Sequence, residues 1–313
     1  MKKQLMTKLD YNNGVGVLSE GDFRIGASSI ADFFSNTRQW FGDNLLGEKS
    51  FIGNQATLRG TCTHFCAERF ALTKTFTPED KQEVLNYILK STNQDYEDYI
   101  PDSDAEDATT QYAKMGSVLV NDYVIHNMPV CVEAFVASEI LPGIFVGGSI
   151  DALYNGRPLS DNKIESLRNT SGMVIVDYKT SSSTRLPDSI AFKHKLQLLT
   201  YAYVLRKEYN IISDRIRIVY VTTEVVGEIS PKTGKQFKSY PSEVKVLTEN
   251  VTEQDFEYIE GIIHLIAESV DRWKKVPTDR YLLAKDYRLK FSEAPSVTNT
   301  NLFAKLSKMI KSN

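Results

Sequence analysis

Met173-Val174-Ile175-Val176-Asp177-Tyr178-Lys179-Thr180 is the stretch on which the reading turns. Its first four residues are apolar, three of them β-branched, and they run without polar alternation. That is the pattern of a strand covered on both faces. A carboxylate at the end of such a strand serves no packing purpose and is costly to desolvate. Successive side chains of a strand point to opposite faces, so Asp177 and Lys179 share one face and Tyr178 takes the other. Asp-x-Lys alone is common; what raises it here is a second element. Gly147-Gly148-Ser149-Ile150-Asp151 lies in the β-rich segment Ile144 to Tyr154, and Asp151 precedes Asp177 by 26 residues. If the two segments are neighbouring antiparallel strands, the two aspartates come within about 5 Å of each other. Paired carboxylates repel unless a cation joins them, and a hard divalent cation takes oxygen ligands of this kind. A lysine amine alongside would orient or help deprotonate a water and offset charge on a phosphate. The plainer reading, a surface Asp–Lys pair at a strand end, stands beside this one.

Reading outward from these strands gives the architecture. Val130 to Val136 is a strand before Ile144–Tyr154, and Asn155 to Gly172 is an unusually long polar connection to the Asp177 strand. Pro187-Asp188-Ser189 opens a helix to about Tyr209. Arg215 to Val226 and Ser242 to Leu247 read as two further strands around a turn at Gly227–Gly234, followed by a helix from Thr252 to Lys274. Before Met128 the texture is helical: Ser28 or Ser29 to Leu46, Thr57 to Lys74, a helix announced by Thr77-Pro78-Glu79-Asp80, and a long one from Asp104 to His126. A short hairpin around Asn12-Asn13-Gly14 and a basic amphipathic helix from Leu302 to Ile310 complete the expectation. The order αβββαβ predicts an α+β fold, a mixed β-sheet flanked by helices with an N-terminal helical lobe. Three regions follow: 1–127, helical; 128–275, the core; 276–313, a basic C-terminal extension.

Two helical pairs add chemistry. His64 and Glu68 stand at i and i+4 and share a face. Gln197 and Tyr201 do the same on the helix after the Asp177 strand, with Lys193, His194 and Lys195 just before them. An amide and a phenol at that spacing suit a nucleic-acid strand crossing the site, although an ordinary amphipathic helix looks the same. His126, His194 and His264 have no comparable company and read as plain structural residues.

The totals constrain function. The net charge of −3 gives no whole-chain basic field, so any polyanion surface must be local. Asp95 to Asp107 carries seven carboxylates and reads as a solvated loop. Three cysteines, Cys62, Cys66 and Cys131, argue against a disulfide framework and against a four-thiolate metal site. The chain offers no long apolar run and no secretory leader, so the expectation is a cytoplasmic protein that is not secreted and has no membrane partner.

Taken in order, Gly60/His64/Glu68, Gly148/Asp151, Asp177/Lys179/Thr180 and Gln197/Tyr201 resemble the RecB-like branch of the PD-(D/E)XK nucleases, over about Gly60 to Tyr209. Ser28-Ser29-Ile30-Ala31-Asp32-Phe33-Phe34 is similar to the helix start that often opens such domains. The resemblance implies catalytic residues Asp151, Asp177 and Lys179, and a Mg²⁺ or Mn²⁺ ion held by His64, Asp151, Asp177 and the backbone carbonyl of Tyr178. Glu133 falls where the family often carries an acidic residue and joins that ligand set. Gln197, Tyr201, Glu68, Lys195 and Thr180 would contact DNA. Relatives with an iron–sulfur cluster carry four cysteines. Here Thr37 and Arg38 stand at the first such position and no C-terminal trio exists, so the chain resembles the cluster-free members, among them the mitochondrial genome maintenance exonuclease and phage exonucleases. The implied activity is a metal-dependent DNA exonuclease on single strands or free ends, serving replication, recombination or repair, with a replication or recombination protein as partner. A structure-specific endonuclease is the alternative within the class. A catalytically inert DNA-binding recombination partner is the alternative outside it.

Overall fold

A computed structural model describes residues 22–45, 54–92, 105–156, 162–182, 186–224 and 239–275. Six strands form one mixed sheet: β1 (Phe23–Gly26), β2 (Cys131–Leu141), β3 (Ile144–Tyr154), β4 (Met173–Ser181), β5 (Ser213–Thr222) and β6 (Val244–Asn250). β2 runs antiparallel to β3 over nearly its whole length. The other edge of β3 is shared: β1 pairs in parallel with Ile144 to Gly147, and β4 pairs antiparallel with Ala152 to Tyr154. Between those two partners, at Gly148 to Asp151, β3 and β4 part. β4 then continues alone beside β5, parallel from Val174 to Ser181, and β5 is closed by antiparallel β6. The sheet is therefore forked, and both aspartates stand at the mouth of the fork.

Helices cover both faces, as the two-sided apolar strands require. Among the described helices, α1 (Ile30–Ser35), α2 (Thr37–Leu45), α6 (Phe192–Tyr209) and α7 (Glu253–Lys275) pack on one face; α3 (Gln55–Thr73), α4 (Pro78–Thr92) and α5 (Ala105–Leu119) lie on the other side. β4 shows the alternation plainly. Met173 and Ile175 join the α6 side, whereas Val174, Val176 and Tyr178 join the α3 side. Asp177 and Lys179 thus fall on the α6 side by parity.

Several boundaries differ from expectation for identifiable reasons. β1 falls in a stretch whose sequence reads as irregular; four residues with one buried side chain, Ile25, leave little pattern. The first helix is broken at Asn36, whose φ is −151° and whose Oδ1 accepts from Gln39 N–H, so the asparagine caps a second helix. The long helix ends at Leu119 and passes into a π-helical turn at Val120–Val124. The helix expected from Pro187 starts only at Phe192. The cap expected at Thr77 forms with Asp80, and Thr252 and Asp255 make a second one of the same kind, each side chain serving the other's backbone N–H. The Asn12–Gly14 hairpin, the Gly227–Gly234 turn, the 276–313 extension and most of the acidic stretch lie outside the described residues. No described helix is long and apolar enough to cross a membrane.

Candidate metal centre and active site

The fork frees backbone groups that a continuous ladder would consume. Tyr178 N–H donates to Asp151 Oδ2 at 2.8 Å, so the aspartate of β3 takes over the role of a strand partner. On the other side of the sheet, α3 lays His64 against β4. Its Nε2 is 2.7 Å from the Tyr178 carbonyl oxygen and its Nδ1 is 3.4 Å from Asp151 Oδ2. A carbonyl only accepts, so Nε2 carries the hydrogen there, and in the neutral ring Nδ1 presents a lone pair toward a carboxylate oxygen. Two lone pairs facing each other are what a shared cation relieves. Glu133 completes the group: one atom each from His64, Glu133 and Asp151 lie within 4.8 Å of one another. All three are partly buried, and their donors are imidazole nitrogen and carboxylate oxygen, a set suited to Mg²⁺ or Mn²⁺ rather than to a thiophilic ion.

Glu133 and Asp151 share a structural peculiarity. Ladder partners pass from Val132↔Ala152 to Ala134↔Ile150, which leaves Glu133 opposite Asp151. Val132 packs on the α3 side, yet Ala134 and Val136 pack on the α6 side. In β3 the same reversal occurs, with Ile144, Val146 and Ile150 on the α6 side and Ala152 on the α3 side. A regular strand would keep each such set on one face. Both strands therefore turn over at the two acidic residues, and at Glu133 the backbone takes φ 48°, a region that a glutamate rarely occupies. Gly147 tightens the pair: a Cβ there would meet the Val136 carbonyl oxygen at 2.0 Å.

Asp177 is held separately. It is 3 % exposed, lies one register step beyond the last β3–β4 pair, and is bound by Lys179 Nζ at 3.0 Å from Oδ1 and 2.7 Å from Oδ2. Oδ2 is held by the ion pair with the ammonium and makes no further hydrogen bond. Gln197 Nε2 donates to Asp177 Oδ1 at 3.1 Å and lies 3.4 Å from the Tyr201 hydroxyl. Burial and the nearby Asp151 carboxylate push Asp177 up to about 6, against the pull of Lys179. Burial works against the Lys179 ammonium, but Asp177 and Asp151 outweigh it and hold its pKa above the usual lysine value. Asp177 is thus engaged by Lys179 and stands outside the group of His64, Glu133 and Asp151 whose donor atoms lie within 4.8 Å of one another.

The remaining expected residues divide. Gln197 reaches the site, but through Asp177. Tyr201 is 4 % exposed and lies under Gly148, where a Cβ would stand 3.2 Å from its hydroxyl. It supports Gln197 and offers no open ring for stacking. Thr180 lies against Gly60 on α3, and Glu68 is half-buried one turn after His64. Lys195 turns toward the sheet edge, 3.2 Å from Glu249 of β6 and 3.3 Å from Asp255 of α7. Tyr203 and Trp273 are core residues, and the latter packs against Phe33, Trp40 and Phe41. Burial and the ammonium groups of Lys179 and Lys193 push His194 down to about 4.

Residues 24–281 match the PD-(D/E)XK nuclease superfamily. No curated protein sequence matches the chain. Among solved structures, a candidate exonuclease from Eubacterium rectale superposes with a TM-score of 0.50 at 13 % identity, covering 87 % of each chain. A phage-related exonuclease from Haemophilus somnus 129PT gives a TM-score of 0.38 at 10 % identity over 81 % of this chain and 96 % of its own. LHK-Exo in complex with dAMP gives 0.29 at 11 % identity, over 73 % and 93 %. The first of these shares the fold, and the family match spans the forked sheet with both helical layers, so this chain belongs to the PD-(D/E)XK nuclease superfamily.

Proposed function

We propose that the chain is a divalent-metal-dependent deoxyribonuclease that removes nucleotides from free or single-stranded DNA ends. One observation carries this reading: His64, Glu133 and Asp151 converge within 4.8 Å beside an Asp177–Lys179 pair buried at the mouth of the sheet fork. His64, Glu133 and Asp151, with Asp177 and the Tyr178 carbonyl, would hold Mg²⁺ or Mn²⁺. A bound cation there supplies Lewis acidity to a water and to the phosphate oxygens. The protein's own part is to place charge. Asp151 is fixed by Tyr178 N–H and Asp177 by Gln197, so neither carboxylate needs to reorganise. Lys179 keeps its proton beside Asp177 and presents positive charge where a phosphate would gather negative charge. Action at ends is supported by the exonuclease description of the Eubacterium rectale protein, and service in replication, recombination or repair is what the family resemblance implies.

The test is digestion of DNA labelled at one end, then the other, in Mg²⁺ and in Mn²⁺, with each end blocked in turn. The parent is expected to degrade open-ended strands, blocked ends are expected to stop it, and Asp177→Ala and Lys179→Ala are expected to be inactive. Activity in both variants equal to the parent's would discard the mechanism. Cutting of circular single strands would replace the exonuclease with an endonuclease.

A further inference from the structure

Five non-glycine residues among those described have φ in the left-handed region. Lys74 and Asn210 terminate helices, and Asn162 and Asn169 are loop asparagines, a type that tolerates this conformation. Glu133 alone stands inside a strand. Strain of this kind persists only where surrounding structure enforces it. The residue before it shows what does so. Val132 N–H donates to Asn162 Oδ1 at 2.8 Å, a bond spanning 30 residues. Asn162 is the first described residue on the return of the long connection between β3 and β4, and that return is firmly seated. Ile164 and Leu167 enter the main core, Asn169 N–H donates to the Tyr209 carbonyl, and Ile212 N–H donates to the Thr170 carbonyl.

We propose that Asn162 is a positioning residue of the metal centre. By holding the Val132 peptide N–H from outside the β2–β3 ladder, it keeps β2 turned over at Glu133 and so presents the Glu133 carboxylate to His64 and Asp151. The inference rests on Glu133 serving as a metal ligand. Docking the connection does not require the asparagine, because Ile164 and Leu167 already supply apolar burial. The directed bond falls on the peptide beside the kink. The return of this connection from Asn162 onward thereby acquires a purpose, which is to brace β2.

The experiment titrates Mn²⁺ into metal-free protein by calorimetry and records the thermal midpoint of each variant. Asn162→Gly removes the acceptor and accommodates the positive φ of this position. It is expected to weaken Mn²⁺ binding by about tenfold or more, the usual scale for groups that orient a ligand, with little change in midpoint. Asn162→Asp keeps an acceptor of the same shape and is expected to bind Mn²⁺ at least as tightly as the parent. Glu133→Gln is expected to weaken binding on its own. If Glu133→Gln weakens binding but Asn162→Gly does not, the bracing role is wrong while the metal centre stands. Equal loss in Asn162→Asp and Asn162→Gly would also overturn it. If Glu133→Gln binds like the parent, Glu133 is no ligand and the bracing role falls with it, whereas the Asp177 and Lys179 nuclease assays judge the catalytic reading independently. Failure of Asn162→Gly to fold would also overturn the bracing role, because the seating of the connection would then depend on the asparagine itself.

Discussion

Asp177 sits on a strand that keeps regular geometry. β4 runs beside β5 in unbroken register from Val174 to Ser181, its side chains alternate between the two helical layers, and Lys179 follows on the same face as the carboxylate it binds. Asp151 and Glu133 sit where two strands reverse their faces together, one of them through a left-handed glutamate. One half of the site is thus an ordinary strand end carrying two charges, and the other is a distortion built to aim them. Altering the first half unpairs a buried charge but leaves the backbone ladder in register. The second couples chemistry to backbone.

The largest expected effect tests whether both halves serve one reaction. Asp151→Ala and Asp177→Ala should each lower the rate of DNA hydrolysis by about 10³-fold or more, with the double variant no worse than the poorer single one. Additive losses, measured as kcat/KM on a short single strand, would separate the halves. Gly147→Ala probes the distorted half alone. A methyl group 2.0 Å from the Val136 carbonyl oxygen forces β2 and β3 apart, and denaturant unfolding should show a loss of about 3 kcal/mol. The regular half has its own signature in pH. The folded-state pKa of Asp177 is raised from 3.8 to about 6, so the native protein holds this proton more tightly than the unfolded chain does. Relative to Asp177→Asn, the metal-free parent should therefore lose stability as pH rises from about 4 to about 6, then level off. A flat difference between the two unfolding free energies would mean that the carboxylate is not desolvated as described. Smallest of all is Tyr178→Phe. The site uses the peptide of this residue and not its phenol, so activity should stay within about threefold of the parent; a larger loss would bring the ring into the chemistry.

The same contrast explains what is legible in the sequence. The β4 strand, the face shared by Asp177 and Lys179, and the helix carrying Gln197 follow from periodicity and parity, and the structure reproduces them. His64 and Asp151 become visible through ordered motifs. The pairing of Glu133 with Asp151 is readable only as a loose family position, because nothing in Val132-Glu133-Ala134 encodes a left-handed glutamate; that conformation is imposed by tertiary contacts. Asn162 is invisible for a related reason, since its partner is a peptide group 30 residues away. The burial of Tyr201 escapes the sequence because helical spacing tells which residues share a face but not that β3 lies across it.

The bond from Tyr178 N–H to Asp151 Oδ2 has an evolutionary corollary. A mutation that deletes the Asp151 carboxylate strands a backbone donor inside the protein as well as ending catalysis, and folding itself suffers. Lys179 answers to no peptide group, and on its loss the buried Asp177 carboxylate is relieved by taking up a proton. Descendants of this chain drifting under relaxed selection should accordingly shed the lysine long before the aspartate, and a mutation-accumulation line sequenced over many generations would reveal that order.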